Sequence, residues 1–113
     1  MSFEQEPELT PEEVEATVEE TIGDNEVALF MKGTPLMPQC GYSRKALKLI
    51  QQHRDDVAIV DVLQATEHFR EALEPHSGRQ TIPQAFVDGE FVGGSDILEQ
   101  LHEQGDLAER LNA

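Results

Sequence analysis

Residues 81–97 carry the sequence TIPQAFVDGEFVGGSDI, which predicts a β-hairpin near the end of the chain. The pair Asp88-Gly89 favours the two-residue turn that joins antiparallel strands. Apolar residues lie on both sides of this pair, so we expect strands over residues 84–87 and 90–92.

The rest of the chain alternates between helical and strand-like patterns. Thr10-Pro11-Glu12-Glu13 combines a capping box with proline at the first helical position, and so starts a helix. After the hairpin, Gly93-Gly94 ends the second strand, and Ser95 or Asp96 is expected to cap the next helix. The other predicted elements are a helix over residues 11–22 ended by Gly23-Asp24-Asn25, a strand over 26–31, a loop over 32–39, a helix from Cys40 or Gly41 to about 53, a strand over 57–62, a helix from Thr66 that ends before Pro75 or shortly after it, a turn over 76–80, and a last turn or helix over 106–112.

These elements follow the order α-β-α-β-α-β-β-α. A right-handed βαβ unit followed by a hairpin gives one four-stranded mixed sheet with helices on both faces. The fold class is therefore α/β, and the arrangement is that of the thioredoxin fold.

Length and composition exclude several classes of protein. The 113 residues suit one domain, which we expect over residues 10–113 after an acidic flexible tail over residues 1–9. The 23 acidic residues against 8 basic ones, a formal charge of −15, argue against a nucleic-acid partner. No run of 18 apolar residues predicts a membrane span, and no secretory leader is recognised, so we expect a cytoplasmic protein. One cysteine excludes an intramolecular disulfide and any four-cysteine metal site within one chain.

The charge is unevenly distributed, and the single cysteine lies in the exceptional segment. Residues 1–26 contain ten acidic residues and no lysine or arginine, whereas residues 27–54 contain five basic residues and no acidic one. We call residues 27–54 the basic segment; a helix whose outer face happens to be basic explains it equally well. Its basic residues are Lys32, Arg44, Lys45, Lys48 and Arg54.

Cys40 is the candidate reactive group. A thiolate is the nucleophile and the metal ligand, so a functional cysteine needs a pKa below its ordinary value. Cys40 is expected at a helix N-terminus, where free N–H groups favour negative charge, with Lys32 approaching from the preceding strand. Gly41 would let a ligand approach the backbone, and Tyr42 would supply an aromatic wall. The alternative is a buried, inert cysteine at a helix start.

Two motifs identify a family. Residues 31–43, MKGTPLMPQCGYS, closely resemble the active-site loop of monothiol glutaredoxins, whose usual signature is C-G-F-S, and residues 81–97 resemble the second and third motifs of that family. The resemblance covers about residues 11–112. Four positions depart from it: Tyr42 replaces phenylalanine, Ser95 replaces a common cysteine, and Arg79-Gln80 replaces a Trp-Pro pair.

The resemblance implies an iron–sulfur function. Monothiol glutaredoxins bind a [2Fe–2S] cluster as a homodimer with two glutathione molecules and pass it to acceptor or assembly proteins. Cys40 would supply one of the four thiolates that the cluster needs. The alternative is a weak glutathione-dependent thiol–disulfide oxidoreductase that uses the same cysteine for monothiol deglutathionylation. A third possibility is an interaction module with neither chemistry.

The resemblance also assigns a site for glutathione or a related small thiol. Pro83 is expected to be cis, with the main chain of Ile82 pairing with the bound peptide. Arg70 is expected to contact a ligand carboxylate, and Arg79 competes with it for that role. The histidines show no metal-ligand spacing and are read as surface residues. The full set of predicted small-thiol contacts is Lys32, Gly41, Tyr42, Arg70, Thr81, Ile82, Pro83, Gly94, Ser95 and Asp96.

Overall fold

The chain alternates helices and strands in the predicted order. The computed structural model describes residues 9–113, so residues 1–8 of the predicted acidic tail lie outside the described residues. A short 3₁₀ turn, Val62–Gln64, follows the second strand. The elements are α1 Pro11–Asp24, β1 Val27–Met31, α2 Gly41–Gln51, β2 Ala58–Asp61, α3 Thr66–Ser77, β3 Gln84–Val87, β4 Glu90–Gly93, α4 Ser95–Gln104 and α5 Leu107–Arg110.

The strands form one mixed sheet in the order β2-β1-β3-β4. β1 and β2 are parallel and α2 lies between them in the chain, which completes the βαβ unit. β3 is antiparallel to both β1 and β4. Asp88 and Gly89 have φ values of +52° and +81°, as the tight turn between β3 and β4 requires. The predicted thioredoxin fold is confirmed.

The sheet separates two apolar cores. β1 is buried at all five positions because helices cover both of its faces. Alternate residues therefore face opposite cores: Leu29 packs with α2, α4 and α5, whereas Phe30 packs with α1 and α3. The rings of Phe69 and Phe86 lie 6.4 and 5.7 Å from that of Phe30. Because β1 is packed on both faces, its C-terminal end is held in place, and the start of α2, which follows it in the chain, is held near that end of the sheet.

Several boundaries differ from those predicted. α1 continues through Gly23 and Asp24, and β2 is shorter than the predicted strand because its end turns into the 3₁₀ segment. α3 ends at Ser77, shortly after Pro75, which is the second of its two predicted ends, and the predicted turn loses two residues to it. Pro75 costs the helix only one hydrogen bond, because only its own N–H is missing. Gly78 then caps the helix end in the left-handed conformation, and its N–H donates to the carbonyl of Glu74 at 2.7 Å.

Among residues 9–113, no helix is both long enough and apolar enough to span a bilayer.

Candidate functional site

Cys40 lies directly before α2, at the end of a folded loop that follows β1. It is the N-cap residue, with an extended backbone (φ −149°, ψ 134°), so the free N–H groups of the first helical turn lie beside it. The N–H of Gln39 donates to the carbonyl of Lys32 at 2.9 Å, and Gly33 forms an antiparallel bridge with Pro38. These contacts close the loop and leave the thiol partly exposed.

The base of this loop requires glycine at position 33. Gly33 has a φ of +93°, and a Cβ there would lie 2.4 Å from the carbonyl oxygen of Met37 and 2.6 Å from the amide nitrogen of Gln39. Its N–H donates to Oδ1 of Asp61, the last residue of β2, at 2.9 Å. Asp61 therefore ties the loop to the adjacent strand. Asp61 could not be identified from the sequence, because it lies 28 positions from Gly33.

The pKa of the Cys40 thiol lies below its ordinary value. Burial raises this pKa, but the backbone N–H groups of Ser43 and Tyr42 and the hydroxyl of Ser43 lower it by more, and the charge of Lys32 adds to the lowering. The start of a helix thus favours the thiolate, as predicted. The expected contribution of Lys32 is present, but it is smaller than that of the groups in the first turn of α2.

Ser43 lies in the first turn of α2, three residues after Cys40, and its side chain is fully buried. Its hydroxyl oxygen accepts the N–H of Lys32 at 3.0 Å. With that oxygen serving as acceptor, the hydroxyl hydrogen is free to stabilise the Cys40 thiolate.

Ser43→Ala is expected to raise the pKa of Cys40, because it removes one of the groups that stabilise the thiolate. The rate of iodoacetamide alkylation against pH measures this shift, and Ser77→Ala, at the far end of α3, is the control. An unchanged alkylation profile in Ser43→Ala would contradict this account.

The lowered pKa of Cys40 also predicts that Cys40 adds to the free energy of unfolding as the pH rises from the folded pKa towards the ordinary value of 9.0, and that this gain is lost as the pH falls.

A groove of about 610 Å³ lies beside the cysteine loop. Its wall begins at Tyr42, which is 63% exposed and stands two residues after Cys40. The groove brings together most of the predicted small-thiol contacts, but Lys32, Gly41 and Arg70 are not in its lining. The predicted contacts that line it are Tyr42, Thr81, Ile82, Pro83, Gly94, Ser95 and Asp96.

The two sides of the groove touch at Pro83 and Gly94. The peptide bond between Ile82 and Pro83 is cis, in agreement with the resemblance. A Cβ at Gly94 would lie 3.1 Å from the carbonyl oxygen of Pro83, so glycine allows this close approach. Gly94 is also the N-cap of α4, which corrects the prediction that Ser95 or Asp96 caps this helix: Ser95 is its first residue, and its side chain is turned inward and buried.

Arg70 and Arg79, the two candidate cations, occupy different surroundings. The guanidinium of Arg70 forms an ion pair with Glu67, one turn earlier in α3, at 2.6 Å. Arg79 lies between α3 and β3 and lines the groove. The geometry therefore brings Arg79 to the groove and engages Arg70 elsewhere.

The basic segment is less positive at the surface than its sequence implies. Lys45 pairs with Glu99 of α4, and Arg54 pairs with Glu26 and Asp56. The hydrogen bond that Lys45 donates to Glu99 raises the pKa of Lys45, and those that Arg54 donates to Asp56 and Glu26 raise the pKa of Arg54. Two of its five basic residues thus hold elements together.

Within residues 9–113, no three His, Cys, Asp or Glu side chains converge on a point where a metal ion could bind. His53 and His102 come close to each other, with ring centroids 6.3 Å apart.

Both a family model and individual relatives identify the same family. A family model described as Glutaredoxin matches residues 27–92. The chain is 41% identical over 95 residues to the "Uncharacterized monothiol glutaredoxin ycf64" of Porphyra purpurea, which covers 84% of this chain and 88% of that protein. It is 47% identical over 79 residues to the "Probable monothiol glutaredoxin GrlA" of Legionella pneumophila, with 70% and 88% covered.

Solved structures share the fold. Reduced apo GrxS14 from poplar is 33% identical, with a TM-score of 0.74 over 88% of this chain and 90% of that one. A buckwheat glutaredoxin solved as a complex with glutathione is 23% identical, with a TM-score of 0.75 over 90% of each chain, and it shows similarity of fold.

Proposed function

The chain belongs to the glutaredoxin family as a monothiol member, and from this premise we propose that it carries a [2Fe–2S] cluster between proteins. The observation that supports the proposal is the state of Cys40: a partly exposed thiol with a lowered pKa, in a chain with no second cysteine. Ser43 stands buried where a second thiol would be needed for dithiol chemistry. Cys40 is thus suited to bind iron as a terminal thiolate ligand.

The number of ligands determines the assembly that we propose. A [2Fe–2S] cluster takes four thiolates, and each chain supplies one. Two chains and two small thiols complete the set, so the cluster-bound form is a homodimer that also contains two molecules of glutathione or a related thiol. Iron–sulfur acceptor or assembly proteins are the proposed partners. The small thiols must stay reduced, so we propose the cytoplasm as the compartment.

The groove beside Cys40 is the proposed binding site for the small thiol. Tyr42, two residues after Cys40, would form one wall, and the main chain of Ile82 would pair with an extended peptide. Asp96, in the first turn of α4, is suited to bind an ammonium group, and Arg79 a carboxylate. The lining is therefore suited to a short peptide with charges of both signs.

Monothiol exchange is the second candidate function, and the lowered pKa of Cys40 favours it as well. The Cys40 thiolate would attack the glutathione sulfur of a protein–glutathione mixed disulfide, and the protein thiolate would leave and take up a proton. A second glutathione thiolate would then attack the Cys40–glutathione disulfide and release Cys40 with oxidised glutathione.

Anaerobic reconstitution with ferrous iron and sulfide, with and without glutathione, separates the two functions. The cluster carrier is expected to show the visible absorption of a [2Fe–2S] centre only when glutathione is present, and to double its mass in native mass spectrometry. Colourless protein that turns over a glutathione mixed disulfide would support the exchange enzyme instead.

Replacement of each arginine tests which cation binds the ligand. Arg79→Gln is expected to weaken glutathione binding about three- to tenfold, in line with the loss of one charge-assisted hydrogen bond near the surface. Arg70→Gln is the matched control and should change binding less than twofold, because Arg70 is paired with Glu67. NMR titration of each apo variant with glutathione measures the two affinities. A larger loss of affinity in Arg70→Gln would assign the ligand contact to Arg70 and not to Arg79.

A further inference from the structure

Gln84 is a buried polar residue in an otherwise apolar strand, and contact with a ligand in the groove does not explain why a polar residue lies there. It is the first residue of β3, its side chain is fully buried, and the three residues that follow it in the strand are apolar. It does not line the groove, although its neighbour Pro83 does. A buried amide is destabilising unless it is hydrogen-bonded, so its bonds indicate its role.

The amide nitrogen of Gln84 holds the loop between α3 and β3. Nε2 donates to the carbonyl of Arg79 at 2.9 Å and to the carbonyl of Thr81 at 3.0 Å. Both partners are acceptors, so the orientation of the amide group is determined. Both of its N–H donors are used, whereas Oε1 is buried and has no hydrogen-bond partner among residues 9–113.

Ser77 holds the same loop from the end of α3. Its hydroxyl donates to the carbonyl of Arg79 at 3.0 Å and accepts the N–H of Arg79 at 3.1 Å. The main chain of Arg79 is thus held on one side by the helix and on the other by the strand. The two residues whose main chains these bonds hold, Arg79 and Thr81, both line the groove.

We propose that Gln84 is a positioning residue for the small-thiol groove: its amide fixes the main chain of residues 79–81 so that Arg79 and Thr81 face the ligand. The inference rests on the proposed function, since it needs a small thiol in the groove. Gln84 acts through the loop and not by contact with the ligand.

Gln84→Met tests the proposal, because methionine keeps the length of the side chain and removes both donors and the unpaired acceptor. The carbonyls of Arg79 and Thr81 belong to exposed residues and can bind water instead, so the free energy of unfolding should change little. Glutathione affinity, measured by NMR titration of the full-length apo protein, is expected to fall about tenfold, the effect of one mispositioned polar contact.

Gln80→Met is the matched control, because Gln80 lies in the same loop, bonds to Glu74 at 2.6 Å and lies outside the groove lining. It should bind glutathione like the wild type. Alkylation of Cys40 by iodoacetamide, which does not need the groove, should be unchanged in both variants. Equal glutathione affinity in Gln84→Met and the wild type would overturn the positioning role and leave the proposed function standing, whereas a wild type that binds no glutathione would overturn both.

Discussion

Cys40→Ser is expected to abolish cluster assembly and thiol exchange completely while leaving the fold intact. A serine hydroxyl stays protonated at neutral pH and is a poor ligand for iron. The variant therefore can neither coordinate the cluster nor attack a disulfide. The fold should tolerate the change, because serine is among the preferred residues at a helix N-cap, the position of Cys40. Anaerobic reconstitution and mixed-disulfide turnover measure the two losses, and thermal unfolding measures the fold.

The appropriate control for this variant is Ser43→Ala, which keeps the thiol and alters only its surroundings. We expect Ser43→Ala to reconstitute a cluster at higher pH, where its Cys40 ionises, whereas Cys40→Ser should not do so at any pH. Because the chain has one cysteine, cluster assembled on Cys40→Ser could not be bound through another thiolate of the chain. Such a cluster would contradict the assignment of Cys40 as the iron ligand.

The sequence predicted the fold because its decisive signals are local. A two-residue turn at Asp88-Gly89 and a strand with apolar residues at every position depend only on neighbouring residues. Cys40 was predicted for a similar reason, since a solitary cysteine followed by glycine at a helix start is visible without a structure. Boundaries were less accurate: α1 continues through Gly23 and Asp24, which were predicted to end it.

The support of the site could not be predicted in the same way, because it depends on contacts between distant residues. Asp61 reaches Gly33 across 28 positions, and only the parallel pairing of β1 with β2 brings them together. The charge of the basic segment was overestimated for the same reason. Lys45 and Glu99 are 54 positions apart, and the packing of α2 against α4 makes them an ion pair.

Gly33→Ala is expected to destabilise the protein and to disturb the position of Cys40. The added Cβ would meet main-chain atoms of Met37 and Gln39, which cannot move aside as a flexible side chain can, and the φ of +93° is unfavourable for alanine. Together these effects should lower the free energy of unfolding by roughly 2–4 kcal/mol. Because the loop ends at Cys40, we also expect its pKa to rise and cluster assembly to fall more than tenfold.

Gly23→Ala is the matched control, because Gly23 lies inside α1 and a Cβ there meets nothing within 4 Å. It should leave the cluster unaffected and keep the free energy of unfolding within about 1 kcal/mol of the wild type, on the stabilising side. Chemical denaturation and iodoacetamide alkylation of both variants separate loss of stability from displacement of the thiol. If Gly33→Ala assembled cluster like Gly23→Ala, the loop would not hold Cys40 in place, and the reactivity of the thiol would have to come from the first turn of α2 alone.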